Sequence, residues 1–338
     1  MMDASRHIKK AEKKEGQKMK KFPLRLTLAI VLLTLLPMNV HAAKNLIPMG
    51  QVVGLELYND TVTVAGLEKN SPAAKAGLQA GDRLLSVDGA PIKSTEDVRK
   101  ALSHSDGTVE LTLRRKDQLL TKKLQPQITD DGPKLGIYLR QGITGIGTLT
   151  YYDPENSTFG CLGHSVNDPD GQPVTLTAGN LYSATVASVR KGRCGDPGQL
   201  IGTLTAIDPI GSLSKNTPQG VFGKLNQAPT GKALEAAQSD AIRPGKASIL
   251  STVSGTAVQA YSVEILKIYP SCRQSGRNML IKVTDPALLE ATGGIVQGMS
   301  GSPIIQDGKL IGAVTHVLVN DPTTGYGIFI ENMLDAAA

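Results

Sequence analysis

The chain has 338 residues, 40% hydrophobic and 20% charged, which is length for two domains and an N-terminal extension. Aromatics make up 4%, tryptophan is absent and glycine is frequent at 36, a balance that favours turn-rich β structure over large aromatic cores. The net charge of +6 sits entirely in residues 1–25, with nine Lys/Arg against three Asp/Glu; the rest cancels, 27 against 27, which excludes a broadly basic nucleic-acid-binding domain.

The chain opens on that basic stretch. It is followed by "LTLAIVLLTLLPM", Leu26 to Met38, and by small residues at Val40 and Ala42. A basic flank, a short apolar run and a small-residue exit predict a signal peptide or uncleaved signal anchor over residues 1–43. The basic end stays cytoplasmic, so residues from about 44 onward are expected outside the membrane. Cys161, Cys194 and Cys272 are far apart, with no CxxC and no histidine at metal spacing, so neither a metal site nor a cofactor is predicted. An odd cysteine count leaves at least one thiol unpaired.

From Pro48 the pattern is strand, strand, short helix, strand, strand, helix, strand. "QVVGLEL" and "TVTVAGL" are short β-type runs joined by "YND". Ser71-Pro72 starts a short helix that Gly77 can stop. "RLLSVDGAPI" turns at Asp88-Gly89, and "STEDVRKAL" opens with a capping box, Ser94 to Asp97. "TVELTLRR" closes as an alternating strand. Through "SPAAKAGLQAGDRLLSVDG", residues 46–126 resemble a PDZ domain. That resemblance implies peptide binding by strand addition, with Val53, Gly54, Leu55 and Glu56 lining the groove. The Pro-, Asp- and Gly-rich segment 127–135 is predicted to be a linker.

Residues 136–338 contain many short apolar runs separated by Gly, Pro, Asn and Asp, which predicts a β-barrel or sandwich. Within "QGMSGSPIIQDGKLIGAVTH" the glycines around Ser300 allow a cramped turn. Such a turn can present a hydroxyl beside backbone N–H donors, as acyl transfer requires. The following residues read as a β-hairpin turning at Asp307-Gly308. His7 and His41 fall in the targeting segment and His104 in the PDZ-like part. His164, in "TFGCLGHSVND", follows an apolar run and a glycine and is the candidate base. His316 alternates with core residues of a strand and is read as a core or edge histidine. On residue type alone the acid stays open among Asp168, Asp170, Asp196, Asp208, Asp240 and Asp285.

The segment from "NMLIKVTDPALLEATGG" to "GYGIFIENML", with "FGCLGHSVND", "KNTPQGVFG" and the position of the PDZ-like part, resembles the stage IV sporulation protein B peptidases of endospore-forming bacteria. The resemblance implies a mainly β chain: a PDZ-like domain followed by a chymotrypsin-like β-barrel peptidase domain over residues 136–338. It implies a His-Asp-Ser serine endopeptidase with His164, Asp285 and Ser300, Asp208 being the alternative acid. Oxyanion donors would be the N–H groups of Gly298 and Ser300. It further implies self-cleavage and cutting of a membrane-bound regulator, so that an intramembrane protease can process a sigma factor precursor. The expected location is the space between forespore and mother cell. The expected partners are a protein substrate in or at a membrane and the chain itself, with no nucleic acid. Two other readings fit the domain order: a catalytically inactive PDZ scaffold, and a general extracytoplasmic quality-control protease.

Overall fold

The computed structural model describes residues 44–338, apart from 106, 169–170 and 272–275. The expected targeting segment, Asp170 and Cys272 lie outside the described residues. Among those described, no helix is long and apolar enough to cross a membrane.

The fold is mainly β. Twelve strands form two rings: β1 Val52–Leu67, β2 Ile137–Asp153, β3 Thr158–Cys161, β4 Ala178–Arg190, β5 Gly211–Thr217, β6 Gly220–Leu225, β7 Gly245–Ser251, β8 Gln259–Ile268, β9 Met279–Val283, β10 Pro303–Gln306, β11 Lys309–Leu318 and β12 Asp321–Phe329. Antiparallel pairing runs β1-β2-β3-β6-β5-β4 and returns to β1. The second barrel closes in the corresponding order, β7-β8-β9-β12-β11-β10. The part expected to be a peptidase is therefore two six-stranded barrels of one topology. Closure leaves their strands without free edges.

Burial explains why β1 reads as a nearly continuous apolar run. Val53, Leu55 and Leu57 face the core of the first barrel with Leu149, Phe159 and Leu181. Val52 points the other way and joins Ala184, Val186 and Leu200 in a cluster with Ile249, Val263, Ile281 and Ile304 of the second barrel. Such double-sided burial removes the polar half of a strand's alternation.

The PDZ domain lies near the N-terminus, as expected, but its boundary differs from the expected residue 46. β1 is one strand, not two: its first half, to Leu57, pairs with both β4 and β2 in the barrel. Its second half, Val62–Leu67, continues into the PDZ sheet beside Arg83–Val87 and the start of β2, Ile137–Gln141. The PDZ domain is thus an insertion within a barrel hairpin. The chain returns through Gly142, at φ +83°, where a Cβ would lie 1.9 Å from the Leu57 carbonyl oxygen. Only glycine fits that crossing. Helix α1, Thr95–Ser103, starts with the expected capping box and buries Val98 and Leu102 against Val62, Leu84, Leu111 and Leu135. Segment 127–135 is not a plain linker: Gln127–Thr129 and Gly132–Lys134 form a two-stranded hairpin, and Leu135 is core.

Candidate active site

Thr148 on β2 organises the loop that carries the serine. Its side chain is fully buried, and its Oγ1 donates to the Gly298 carbonyl at 2.8 Å. Its N–H donates to the Ser300 carbonyl at 3.1 Å, and its own carbonyl accepts from Leu162 N–H at 3.3 Å. One residue of the first barrel therefore ties the serine loop to the turn before His164. Gly301, at φ +98°, makes this approach possible, since a Cβ there would sit 2.0 Å from the Thr148 carbonyl oxygen.

With both carbonyls turned to Thr148, the N–H groups of Gly298 and Ser300 donate to no acceptor among the described residues. Unpaired backbone N–H groups are uncommon in folded chains. Two of them in one turn are donors of the type that stabilises an oxyanion. Ser302, the second serine of the motif, is instead fully buried and donates to Ser251 Oγ at 3.1 Å. Ser300 is half-buried, and its Oγ donates to the Thr315 carbonyl at 2.8 Å.

His164 leaves β3 by a strained turn. Gly163 N–H bonds to the Cys161 carbonyl at 2.8 Å around Leu162, which has φ +66°. A non-glycine residue there is uncommon, and such outliers cluster at functional sites. The loop after it is braced by Asn216 of β5. The Asn216 Oδ1 accepts from Val166 N–H, and its Nδ2 donates to the Val166 and Val174 carbonyls. His164 Nδ1 bonds to the Ser165 carbonyl at 2.8 Å. An acceptor on Nδ1 makes it the protonated nitrogen and leaves Nε2 as the basic one. Burial holds the His164 pKa below the usual histidine value, against the opposing pull of the Ser165 carbonyl.

His316, expected as a core or edge residue, belongs to this site. Its ring centroid lies 5.3 Å from that of His164, and its Nδ1 is buried with no hydrogen-bond partner among the described residues. Burial first, then His164 and Arg277, push its pKa down to about 4. Ser300 and His164 converge on the same stretch of β11: one bonds to the Thr315 carbonyl, and the ring of the other lies tilted against that of His316. Nothing in the sequence separated His316 or Thr148 from ordinary strand residues, because only strand closure brings β2, β3 and β11 together.

The remaining expected residues lie elsewhere. Asp285 is the N-cap of helix α2, Pro286–Thr292. Its Oδ1 accepts from Ala287 and Leu288 N–H, and its Oδ2 from Ser262 N–H at 3.1 Å. Its carboxylate makes no hydrogen bond to His164, whose Nδ1 is occupied by Ser165. Asp208 is exposed on the first barrel and lines a separate cavity. Val53, Gly54, Leu55 and Glu56 do not line a PDZ groove. They are mid-strand in β1, with β4 on one edge and β2 on the other, so no peptide strand can be added beside them. Among the described residues the PDZ sheet has two unpaired edges, Gln118–Leu124 and 137–141, and it is 137–141 that lies beside α1. There Gln141 exchanges hydrogen bonds with the start of α1 through Thr95 N–H and the Lys93 carbonyl. Cys161 is buried and donates to the Val221 carbonyl, whereas Cys194 is exposed; both are free thiols.

A model of the SpoIVB peptidase S55 family matches residues 131–334, and a PDZ-domain model matches 63–115. The latter begins just where β1 leaves the barrel. Among solved structures, the PDZ domain of the SdrC-like protein of Listeria monocytogenes is 27% identical, with 24% of this chain and 87% of that chain covered and a TM-score of 0.22. An inactive form of the Rv3671c protease of M. tuberculosis is 16% identical, with 57% and 84% covered and a TM-score of 0.32. Proteins named as zinc metalloproteases also match: one of Bartonella henselae is 33% identical over 94 residues, and one of Clostridium perfringens is 40% identical over 70. Those matches cover 28% and 20% of this chain, and the chain spans only about a quarter of each relative's own length. Among the described residues here, no group of three or more His, Cys, Asp or Glu side chains is placed to hold a metal ion.

Proposed function

This chain belongs to the SpoIVB peptidase S55 family, and on that footing we propose that it is a serine endopeptidase with Ser300 as nucleophile and His164 as general base. The observation that carries the assignment is the Thr148 clamp. It holds two carbonyls of the serine turn, leaves the Gly298 and Ser300 N–H groups unpaired, and ties that turn through Leu162 to the one that leads to His164, whose Nδ1 is already engaged. In the resting arrangement Ser300 Oγ donates to Thr315. Rotation about its Cα–Cβ bond releases it toward His164 Nε2, which takes the proton as Oγ attacks a peptide carbonyl. The developing oxyanion is received by the two free N–H groups, and His164 then protonates the leaving amine. The Ser165 carbonyl, accepting from Nδ1–H, fixes the tautomer.

In the finer reading, the enzyme is exported during sporulation into the space between forespore and mother cell. It cleaves itself near its N-terminus and cuts a membrane-bound regulator, so that an intramembrane protease can process a sigma factor precursor. The family resemblance and the signal-like residues 1–43 support this reading. The PDZ domain would take a peptide of that partner, or of the chain itself, as an added strand along Ile137–Gln141 beside α1, where Leu139 and Tyr138 border the edge.

The test compares the full chain with its Ser300→Ala variant, following N-terminal processing by mass spectrometry. The wild type should shorten with time while the variant stays intact. Equal shortening of both would remove Ser300 from the role.

A further inference from the structure

Outside the peptidase site, the PDZ sheet carries a row of cations that nothing in the catalytic reading uses. Thr63 of β1 pairs laterally with Arg140 of β2 on one side and with Arg83 on the other, and Arg83 pairs with Arg114 of the next strand. Directly paired residues share a face. Their strand neighbours Val62, Val64, Leu84 and Leu113 fill the PDZ core, so the three guanidinium groups are carried on the opposite face. Strand spacing sets neighbours about 4.8 Å apart, and Arg140 about 10 Å from Arg83.

This face lines a cavity of about 540 Å³ whose far wall is the first-barrel segment Gln172–Thr177; Lys116 adds a fourth cation. None of the four cations forms an ion pair among the described residues. Their chain neighbour Arg115, on the other face, is held by the buried carboxylate of Asp82 at 2.7 Å. The cavity's two carboxylates are otherwise engaged: Asp60 with Lys93 at 3.9 Å, and Asp168 accepting from Gln172 N–H. Arg83 donates to Thr61 Oγ1 at 2.9 Å, but its Nε is buried with no partner. A buried guanidinium N–H without an acceptor, inside a row of opposed like charges, is costly unless an anion occupies the site.

We propose that this cavity is an exosite for an acidic peptide segment of a protein partner, gripped by Arg83, Arg114 and Arg140 at the junction of the PDZ domain and the first barrel. Its volume and its 10 Å span exceed what one phosphate fills, and its concave shape between sheet and loop does not suit a membrane surface. The chain's own N-terminal 25 residues are excluded as occupant by their nine Lys/Arg. Only the name exosite rests on the peptidase reading; the binding itself does not.

The experiment measures fluorescence anisotropy of a labelled octaglutamate peptide with the full chain in nonionic detergent, against octaglutamine. Octaglutamate should bind at least tenfold more tightly, and the affinity should fall with salt. Arg83→Gln and the exposed Arg140→Gln should each weaken it several-fold and together tenfold or more. Lys246→Gln, an exposed cation on the second barrel, should leave it unchanged. The melting temperature of Arg140→Gln should not drop, since it relieves repulsion. Equal affinity for the two peptides, or an equal loss in Lys246→Gln, overturns the proposal. Displacement by inorganic phosphate as readily as by free octaglutamate assigns a small-anion site and also overturns it. Octaglutamate binding should persist in Ser300→Ala, so a failed nucleophile and a failed exosite give different results.

Discussion

Thr148 does at one residue what the serine motif cannot do alone. Gly298, Ser300 and Gly301 permit a cramped turn, but the orientation of its peptide groups comes from β2 of the other barrel. Thr148→Val keeps the shape and removes the hydroxyl, leaving the half-buried Gly298 carbonyl without its donor. The cost to stability should be about 1–3 kcal/mol. If the turn relaxes, kcat should fall at least tenfold with KM little changed, because the oxyanion donors act only in the transition state. Steady-state kinetics on a folded variant read this directly. The paired histidines set a pH dependence. His316, facing His164 and Arg277 and lowered to about 4, is neutral in the folded chain at pH 5, whereas an unfolded imidazole near 6.5 is largely protonated. The unfolded state then holds more protons, so the His316 contribution is complete above about pH 6.5 and is lost as pH falls toward 4. Thermal melts between pH 7 and 4 should show a decline that His316→Asn flattens.

At the scale of the element, Asp285 shows how one carboxylate can answer two patterns. "VTDPALLEATGG" has the marks of a capped helix, with Asp before Pro at the start and Gly293 at φ +76° beyond the end. The same Asp fits the acid of the family motif. In this fold its oxygens accept three backbone N–H groups, as a cap should. Asp285→Ala should therefore lower stability by about 1 kcal/mol, and Asp285→Asn by only a few tenths, since Asn caps as well. The Asn variant keeps the helix and removes only the charge, so its kcat isolates the carboxylate. Retention within tenfold is expected from these hydrogen bonds, whereas a loss near 10⁴-fold would make the carboxylate the triad's acid. Strand β1 makes a related point. Its apolar run was readable as β, but not which sheet it joins. Both edges of residues 53–56 are paired, and the open edge beside α1 lies about eighty residues further on, at 137–141.

For the whole molecule, the insertion of the PDZ domain between the two halves of a barrel hairpin decides which truncations fold. Removing residues 46–126 would delete β1 from the closed first barrel and expose Leu149, Phe159 and Leu181. That chain should aggregate or lack a cooperative melt. Excising 59–141 and joining Tyr58 to Gly142 with a two-residue Asn-Gly turn preserves the Leu57–Ile143 pairing and should give a folded two-barrel protein. Circular dichroism and thermal unfolding of the two deletions would separate these cases. The unit between β1 and β2 owes its position to this graft.

What local chemistry dictates was legible in the residues: the β class, the two capped helices and the Asp-Gly turn of the segment that resembles a PDZ domain, the hairpin after Ser300, and the candidacy of Ser300 and His164. Each rests on contacts within a few positions, such as a cap, a turn or an alternation. Tertiary structure alone decided the rest. It set the closure of two like barrels, the membership of β1, the arrival of Thr148 and His316 at the serine turn, and the alignment of Arg140, Arg83 and Arg114. These depend on strands 20 to 150 residues apart choosing one register. Registers are selected by burial summed over whole faces, a quantity no short stretch of sequence contains.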